Sequence, residues 1–481
     1  MKLRFAQVAV VLLLAAACGD DPVGGGGSDA LTISADTTYV ATAGTLQLSA
    51  KAGGAATVAW RSLNETVASV NGSGLVTGRR VGAADIVAES GVQSDTIRIN
   101  VTPRPGGALA VGASHACVLD VEGKAYCWGA NTAGQLGNGT TTASATPVPV
   151  QDGHVFDLIA AGDSTTCGVT LSGEAYCWGL GRSGQLGNGT LSSSAVPVRV
   201  ATFDALKSIA VGLRVTCALG LDGTAYCWGS NANGNVGNGN RVVASTPTLV
   251  STSLKFSQVS VGFYQSCGLA TDGAAYCWGR NAFQTLGTGG SSATEALTPA
   301  PVAGGLRYSW ISAGTLTTCA IATTGGTYCW GVNGHGSLGV GHQGMTGGEG
   351  ATPTRVVGDE VFTRVEAGHE NNVLTPNCLL TATGQAYCLG ASNAGQLGTT
   401  ATTETCQLNS TSPLFPCASR PLAVTGGLAF EAVAPGAEFA CGLTRDGRAF
   451  CWGSNGAGQL GAFAGTQTAT PTRVAATLRL P

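Results

Sequence analysis

Charged residues are scarce in this chain of 481 residues, which has 24 Lys and Arg against 27 Asp and Glu and a net charge of −3. No block of basic residues occurs in the sequence. A protein that binds nucleic acid needs a basic surface, because binding displaces the counterions of the phosphates. We therefore expect no nucleic-acid partner.

Recognisable catalytic and metal-binding motifs are also missing. The sequence contains no nucleophile elbow, phosphate-binding loop or paired-carboxylate motif. The histidines are scattered, at His115, His154, His335, His342 and His369. Zinc sites favour two short Cys-x2–4-Cys pairs that converge on one centre, and the cysteines here are spaced differently. We expect a protein that is not an enzyme and that holds neither metal nor cofactor.

The N-terminus predicts export. Lys2 and Arg4 precede an apolar run, Phe5–Ala17, which ends in small residues and is too short to span a membrane as a mature helix. Cys18 follows at once, so the segment resembles a bacterial lipoprotein signal, although Ala15 stands where that family usually has an aliphatic residue. The resemblance implies lipidation of Cys18 and an anchor in the cell envelope or at the cell surface. The alternative is ordinary cleavage after Ala17.

Two segments follow the predicted signal peptide, which comprises residues 1–17. The first, residues 18–30, is a Gly-rich flexible tether. Residues 31–103 show the two-residue alternation of strands, with Gly and Asn at turns. The stretches around Trp60, Val67–Val70 and Gly74–Gly78 resemble the bacterial group 2 Ig-like domain, which implies a small β-sandwich acting as a stalk or spacer.

Residues 106–481 form a repeat array. Each repeat has a first Cys, a Gly six residues later and a second Cys ten residues after the first, as in Cys117, Gly123 and Cys127. Seven units of β pattern separated by turn residues predict a seven-bladed β-propeller. The fold class is therefore all-β: a propeller preceded by a small Ig-like β-sandwich. We expect a monomer.

The repeat resembles the regulator of chromosome condensation propeller family. The matching segments are Tyr/Phe-Cys-Trp-Gly and Gly-Gln-Leu-Gly, as in Tyr126–Gly129 and Gly134–Gly137. Two repeats depart from the pattern, with Leu389 in place of Trp and Gly181 in place of Asn. The eukaryotic founder of the family is a nuclear exchange factor for a small GTPase. An exported, lipid-anchored chain is a poor candidate for that role, so the resemblance implies a rigid disc that presents loops to a partner.

The cysteine spacing predicts a hairpin with a three-residue loop and a left-handed Gly. Leu119 then pairs with Ala125 and Cys117 with Cys127, at a non-hydrogen-bonded site where Cα atoms lie about 4.5 Å apart. We predict seven such disulfides, and one more inside an insertion. The pairs are Cys117–Cys127, Cys167–Cys177, Cys217–Cys227, Cys267–Cys277, Cys319–Cys329, Cys378–Cys388, Cys441–Cys451 and Cys406–Cys417. Cys18 is left over, as lipidation requires.

Positions that differ between repeats are free to serve function. The most variable is the short loop before each first Cys, which shares one end of the blades with the loop after Trp-Gly. The candidate binding residues in these loops are Arg214, Phe263, Tyr264, His369, Glu370, Glu438 and Phe439. The alternative is that these positions merely tolerate variation. Residues 341–350 and 399–420 are second candidates, and residues 471–480 are expected to join the last blade to the first.

We expect a cell-surface binding or adhesion protein whose propeller loops contact a protein or a glycan. The first alternative is an exported inhibitor similar to the β-lactamase inhibitory propeller protein, which an aromatic ring on one face would favour. The second is an enzyme, which a converging cluster of titratable groups in the central channel would favour. The sequence leaves open the partner, the membrane leaflet and the lipidation of Cys18.

Overall fold

The structure, a computed structural model, consists of strands and turns. It describes residues 30–42, 44–52, 57–79, 82–102, 108–201, 205–281, 283–290, 293–344, 350–368, 375–402, 404–407 and 411–475. Within these ranges the regular elements are 38 strands in ten sheets. No helix in the described ranges has the length and hydrophobicity needed to cross a membrane. Cys18 and the predicted signal and tether lie outside the described residues.

The N-terminal module contains nine strands. They are β1 (Thr32–Ser34), β2 (Tyr39–Ala41), β3 (Thr45–Gln47), β4 (Ser49–Lys51), β5 (Ala59–Ser62), β6 (Ala68–Val70), β7 (Leu75–Gly78), β8 (Gly82–Ser90) and β9 (Gln93–Thr102). Their sheets have the orders β1-β4, β2-β9-β8-β5 and β3-β7-β6. Val76 of one sheet and Ile86 and Ile99 of another are fully buried in one hydrophobic core. The Ig-like identity of this module stays a prediction.

The propeller begins at β10, and each of its seven blades is one sheet. Blade one comprises β10 (Leu109–Val111), β11 (His115–Leu119), β12 (Ala125–Gly129) and β13 (Ser144–Pro149). Blade two comprises β14 (Phe156–Ala161), β15 (Thr165–Thr170), β16 (Ala175–Gly179) and β17 (Ser194–Arg199). Blade three comprises β18 (Leu206–Val211), β19 (Val215–Gly220), β20 (Ala225–Gly229) and β21 (Ala244–Leu249). Blade four comprises β22 (Phe256–Val261), β23 (Gln265–Ala270), β24 (Ala275–Arg280) and β25 (Glu295–Pro301).

The remaining blades follow the same plan, with a fifth strand in blade six. Blade five comprises β26 (Tyr308–Ala313), β27 (Thr317–Ala322), β28 (Thr327–Gly331) and β29 (Thr354–Arg355). Blade six comprises β30 (Phe362–Ala367), β31 (Asn377–Thr381), β32 (Ala386–Ala391), β33 (Glu404–Cys406) and β34 (Phe415–Ala423). Blade seven comprises β35 (Phe430–Pro435), β36 (Phe439–Thr444), β37 (Ala449–Ser454) and β38 (Gln467–Arg473). The extra strand, β33, comes from the predicted insertion and pairs with β34 at the edge of the blade.

The predicted hairpin register is confirmed. Leu119 pairs with Ala125 and Cys117 with Cys127, and Gly123 has a φ of 78° in the turn between them. The eight predicted cysteine pairs are bonded, with Cα–Cα distances of 4.0–4.1 Å in the seven hairpins and 5.8 Å for Cys406–Cys417. Because the cysteines are buried, each of the seven hairpin disulfides joins the second and third strands of its blade inside the core.

Neighbouring blades are joined by a recurring tryptophan hydrogen bond. The indole Nε1 of Trp178 donates to the backbone oxygen of Gln135 in the preceding blade at 3.0 Å, and five other blades repeat this bond. Gly137, with a φ of 67°, lies against the same indole, where an added Cβ would stand 2.7 Å from Nε1. The two sequence segments that carry the family resemblance therefore meet at the interface between blades.

Blade six keeps this interface without a tryptophan. Leu389 is fully buried where the other blades have Trp, and Asn377 Nδ2 donates to the backbone oxygen of Ser337 at 2.8 Å. In blades two to five the residue at the position of Asn377 is Thr or Ser, whose hydroxyl donates to the same backbone oxygen as the indole. The longer amide of Asn377 thus supplies the donor that Leu389 lacks.

The prediction that residues 471–480 join the last blade to the first is wrong for the described part of that segment. β38 pairs with β37, so it completes blade seven. The ring closes instead through contacts between blades seven and one: Trp128 Nε1 donates to Gln459 O at 2.9 Å, Ala437 N donates to Ala113 O at 3.1 Å, and Leu460 and Val474 share a core with blade one. The repeat phase explains the difference, because the described first blade already begins with its own inner strand, β10.

Candidate functional site

The variable loops lie at one end of the blades, as predicted. In six blades the middle residue of the loop before the second strand accepts a hydrogen bond from the residue after Trp-Gly, as Arg214 O does from Ser230 N at 2.8 Å. We call this end of the disc the upper face. The Gly turns of the central hairpins lie at the opposite end, which we call the lower face.

Two predicted binding residues, Phe263 and Tyr264, lie together on the upper face of blade four, next to the predicted Arg214 of blade three. The rings of Phe263 and Tyr264 lie 4.2 Å apart between centroids, and Phe283 lies 5.8 Å from Tyr264. The guanidinium of Arg280 stands 4.9 Å from the Tyr264 centroid and 5.6 Å from that of Phe283. This arrangement places a cation over two aromatic faces, a favourable contact.

A cavity of about 360 Å³ adjoins this cluster. Its walls include Leu213, Arg214, Asn233 and Phe263, so it extends from blade four to blade three. We define the blade 3–4 patch as Leu213, Arg214, Phe263, Tyr264, Arg280 and Phe283. Arg214 is exposed, and Phe283 exposes 38% of its surface. Phe283 and Arg280 were not predicted from the sequence, because they follow the Trp-Gly segment and do not belong to the variable loop before the first Cys.

Ion pairs occur at both ends of the blades. On the lower face, Asp222 pairs with Lys255 at 2.5 Å and Asp272 with Arg307 at 3.3 Å. On the upper face, Glu295 is the strand partner of Arg280 and forms an ion pair with Arg241, whereas Arg214 and Arg280 take part in no ion pair among the described residues. Burial raises the pKa of Asp163 in the loop of blade two, against the attraction of Arg214. The blade 3–4 patch is therefore aromatic and cationic.

The other predicted binding residues do not belong to this patch. Phe439 is fully buried, so its prediction as an exposed contact is wrong. It is the first residue of strand β36 and packs against Gly436, where an added Cβ would lie 2.3 Å from its ring. Glu438 accepts a hydrogen bond from Asn393 Nδ2 at 2.9 Å and so joins blades six and seven. His369 and Glu370 lie outside the described residues.

The accessible surface of the loops is therefore smaller than the predicted ring of seven contact loops. In the six loops that the structure describes, the third residue begins the second strand, where its side chain is enclosed between blades. His115, Gln265 and Phe439 are each fully buried there. The first two residues of the loops provide the accessible surface, and the described aromatic ones among them are Phe263 and Tyr264.

The first strands of the seven blades line a central channel with a cavity of about 200 Å³. Most of its wall is aliphatic, including Leu109, Val111, Ile159, Ile209 and Val211. Blades four to six add polar groups, among them Gln258, Ser260, Arg364 and Glu366. The guanidinium of Arg364 lies 5.2 Å from the ring of Trp310.

Two carboxyl groups near this channel have altered acidity. Burial raises the pKa of Glu366 to about 7, although Ser312 donates a hydrogen bond to it at 3.1 Å and Arg364 lies nearby. Burial also raises the pKa of Glu431 to about 7, against the attraction of Arg364 and Arg445. Glu431 Oε1 is buried and has no hydrogen-bond partner in the described structure. Sequence reasoning missed this cluster, because the comparison of repeats did not extend to the inner strands.

No group of three or more His, Cys, Asp or Glu among the described residues is arranged to hold a metal ion. His115 lies buried between blades, with Nε2 2.8 Å from Thr166 Oγ1. Burial lowers the pKa of His115 to about 4.

Comparison with known proteins agrees with the geometry of the blades. A family model described as the RCC1-like domain matches residues 17–374, and one described as the regulator of chromosome condensation (RCC1) repeat matches residues 430–459. Among solved structures, Prp20p from Saccharomyces cerevisiae is 20% identical, with a TM-score of 0.64 over 73% of this chain and 86% of that chain.

Two further structures share the fold. Yeast RCC1 (Prp20) bound to Kap60 is 21% identical, with a TM-score of 0.63 over 73% of this chain and 83% of that one. Human WBSCR16 is 19% identical, with a TM-score of 0.58 over 79% of this chain and 96% of that one. At these identities the likeness extends to the fold alone.

Proposed function

This chain belongs to the RCC1-like domain family, and we propose that it is an exported, lipid-anchored binding protein whose propeller docks a protein partner through the blade 3–4 patch. The observation that carries the proposal is the cluster of Phe263, Tyr264, Phe283 and Arg280 beside the cavity at Arg214. Aromatic and Arg side chains are enriched among the residues that dominate binding energy at protein interfaces.

Two features point to the chemistry of the partner. The patch presents Arg214 and Arg280 beside aromatic rings, so we propose a partner surface that combines acidic and apolar groups. One relative, yeast Prp20, is described with protein partners, namely Kap60 in one structure and Gsp1p and histones in the other. An exported protein would meet different partners, so the use of a propeller face for protein contact is the only element that we carry over.

The proposed position of the protein is the cell surface or envelope. Cys18 would carry the lipid, the Gly-rich tether would follow, and the N-terminal module would serve as a spacer below the propeller. Replacement of Cys18 by Ser should move the protein from the membrane fraction to the soluble fraction. Unchanged fractionation of the Cys18→Ser variant would contradict the lipid anchor without bearing on the patch.

The test of the patch uses the full mature chain, oxidised and immobilised, exposed to envelope and extracellular fractions of the source culture. A captured protein is then purified, and its affinity is measured for the Tyr264→Ser and Phe283→Ser variants. We expect each variant to bind at least about tenfold more weakly, a loss of about 1.4 kcal/mol. Leu221→Ser is the matched control, because Leu221 is 72% exposed at a turn of the lower face.

Equal weakening by all three variants, or by none, would contradict docking at the patch. The inhibitor alternative shares the same surface, and the captured partner distinguishes it. Loss of an enzymatic activity of that partner on binding would favour an inhibitor, whereas an unaffected partner would favour an adhesion or receptor role. The proposal includes no catalytic step.

A further inference from the structure

In the inner strands of blades four and five, polar side chains form hydrogen bonds to the next blade. The third residue of the strand, Gln258, bonds to both backbone groups of Ile311 in the next blade, at 3.0 and 3.1 Å. The fifth residue, Ser260, accepts a hydrogen bond from Ala313 N at 2.9 Å. These side chains satisfy the open edge of the next inner strand, which has no further strand to pair with.

Blade five follows the same rule toward blade six. Trp310 Nε1 donates to Val365 O at 2.9 Å, and Ser312 Oγ accepts from Ala367 N at 3.0 Å. Each polar residue at these positions in blades four and five thus has a structural role between neighbouring blades.

Blade six departs from this rule at both positions. Its fifth residue is Glu366, but the facing residue of blade seven is Pro435, which has no N–H to donate. Its third residue is Arg364, and no hydrogen bond joins Arg364 to blade seven within the part of the chain that the structure describes. Neither Arg364 nor Glu366 therefore bonds to the backbone of the next blade, as the residues at the same positions of blades four and five do.

Both charged side chains line the channel cavity. They are two residues apart on one strand, so their Cα atoms are separated by about 6.6 Å. The cavity of about 200 Å³ has aliphatic walls on its other sides, including Val111, Ile159 and Val211. An apolar cavity of about 150 Å³ holds benzene, so this one has room for a ligand slightly larger than benzene.

We propose that this part of the channel binds a small zwitterion, an α-amino acid with an aliphatic side chain. The Arg364 guanidinium would take the carboxylate of the ligand in a bidentate contact. The Glu366 carboxylate would take its ammonium group, and the aliphatic walls would hold the side chain. This site is separate from the blade 3–4 patch and does not depend on the proposed function.

The charge of the cluster suits a ligand without net charge. The guanidinium is always protonated, whereas Glu366 and Glu431 have pKa values of about 7 because of burial. Near neutral pH Glu366 is therefore about half ionised beside the permanently charged Arg364, so the two charged side chains that line the cavity offer both signs of charge. A zwitterion matches both of them, whereas a monovalent cation or anion matches one.

The test is calorimetric titration of the full mature chain with L-leucine as the probe. Leucinamide, which lacks the carboxylate, and 4-methylpentanoate, which lacks the ammonium group, are titrated beside it. We expect saturable binding of L-leucine and at least tenfold weaker binding of both analogues. The variants Arg364→Ala and Glu366→Ala should each weaken L-leucine binding at least tenfold.

The variants are chosen so that the scaffold survives. Blade seven has Ala432 and Ala434 at the two corresponding positions, so alanine is compatible with an inner strand of this ring. Ser260→Ala is the matched control, because it removes a channel hydroxyl that serves the neighbouring strand, and it should leave L-leucine affinity unchanged. Thermal unfolding of each variant checks that the propeller is folded.

Three outcomes would overturn the proposal. The first is the absence of saturable L-leucine binding. The second is binding that the folded Arg364→Ala and Glu366→Ala variants retain. The third is equal affinity for L-leucine and 4-methylpentanoate, which would show that the ammonium group is not recognised. None of these results bears on partner binding at the blade 3–4 patch.

Discussion

Two buried titratable residues make the stability of the propeller depend on pH in opposite directions. The pKa of Glu366 is about 7 in the folded protein against an ordinary value of 4.5, so the folded state holds its proton more tightly. Stability from this group is fully present below pH 4.5 and is lost as the pH rises toward 7. The pKa of His115 is about 4 against 6.5, so its contribution is lost as the pH falls through that range.

The substitution Glu366→Gln should therefore stabilise the protein at alkaline pH. A neutral amide does not have to ionise in the channel, so we expect the free energy of unfolding at pH 8 to rise by about 1–3 kcal/mol. The difference should shrink at pH 5, where the wild-type carboxyl is protonated in the folded state. Urea unfolding at both pH values measures it.

An exposed carboxylate provides the control for this effect. Glu174 lies on the lower face in an ion pair with Arg199 at 2.8 Å, and an exposed pair of this kind contributes little. Glu174→Gln should change stability by less than about 1 kcal/mol at either pH. A Glu366→Gln variant whose stability is unchanged at pH 8 would contradict the assigned burial of the Glu366 carboxyl.

At the scale of the element, the central hairpin of each blade is the unit that the repeat specifies. A turn glycine fixes its register, and the disulfide joins cysteines that face each other three pairs from the turn-closing pair. Cys217 and Cys227 in blade three are both fully buried. The bond therefore joins the second and third strands inside the core, whereas Cys406–Cys417, which is also buried, holds the additional edge strand β33 to β34 in blade six.

Removal of one hairpin disulfide should lower the stability of the whole propeller. For the double variant Cys217→Ala and Cys227→Ala we expect a loss of about 2–3 kcal/mol, from the chain entropy that the crosslink removes in the unfolded state. The matched variant Cys406→Ala and Cys417→Ala should mainly increase hydrogen exchange in β33. Denaturant unfolding and hydrogen exchange distinguish the two. Equal loss of global stability in both variants would contradict this assignment.

At the scale of the whole molecule, the ring closes through contacts between the last and the first blade and not through a shared strand. Each blade consists of strands that are contiguous in sequence, and blade seven meets blade one through Trp128, Leu460 and Val474. The same kind of tryptophan bond joins other neighbouring blades, as in Trp178 with Gln135 O. The junction between the last and the first blade is thus equivalent to junctions inside the ring.

A circular permutant tests this equivalence. Residue 475 is joined to residue 108 by a flexible Gly/Ser linker, and new ends are opened at Asp152, between blades one and two. Because every blade stays intact, we expect cooperative thermal unfolding with little loss of stability. A permutant opened at Ser172, inside the central hairpin of blade two, is the control and should be clearly less stable. Equal stability of the two permutants would contradict the blade as the closed unit.

The sequence by itself determined the features that depend on contacts within one repeat. The turn glycine, the register and the pairing of Cys117 with Cys127 involve residues at most ten positions apart, so spacing alone was sufficient to predict them. Seven copies of this spacing gave the number of blades. Phe263, Tyr264 and Arg214 were found because variable loop residues stand out when repeats are compared.

Tertiary structure decided the features that depend on a neighbouring blade, some fifty residues away in sequence. Phe439 is buried because Gly436 and the adjoining blade enclose it, whereas Phe263 stays accessible on the upper face. Asn377 replaces the bond that Leu389 cannot make, which no local pattern reveals. That Glu366 has no backbone N–H to bind in the next blade is evident only from its position opposite Pro435. The physical reason is the same in each case: the environment of these side chains is created by the packing of one blade against the next.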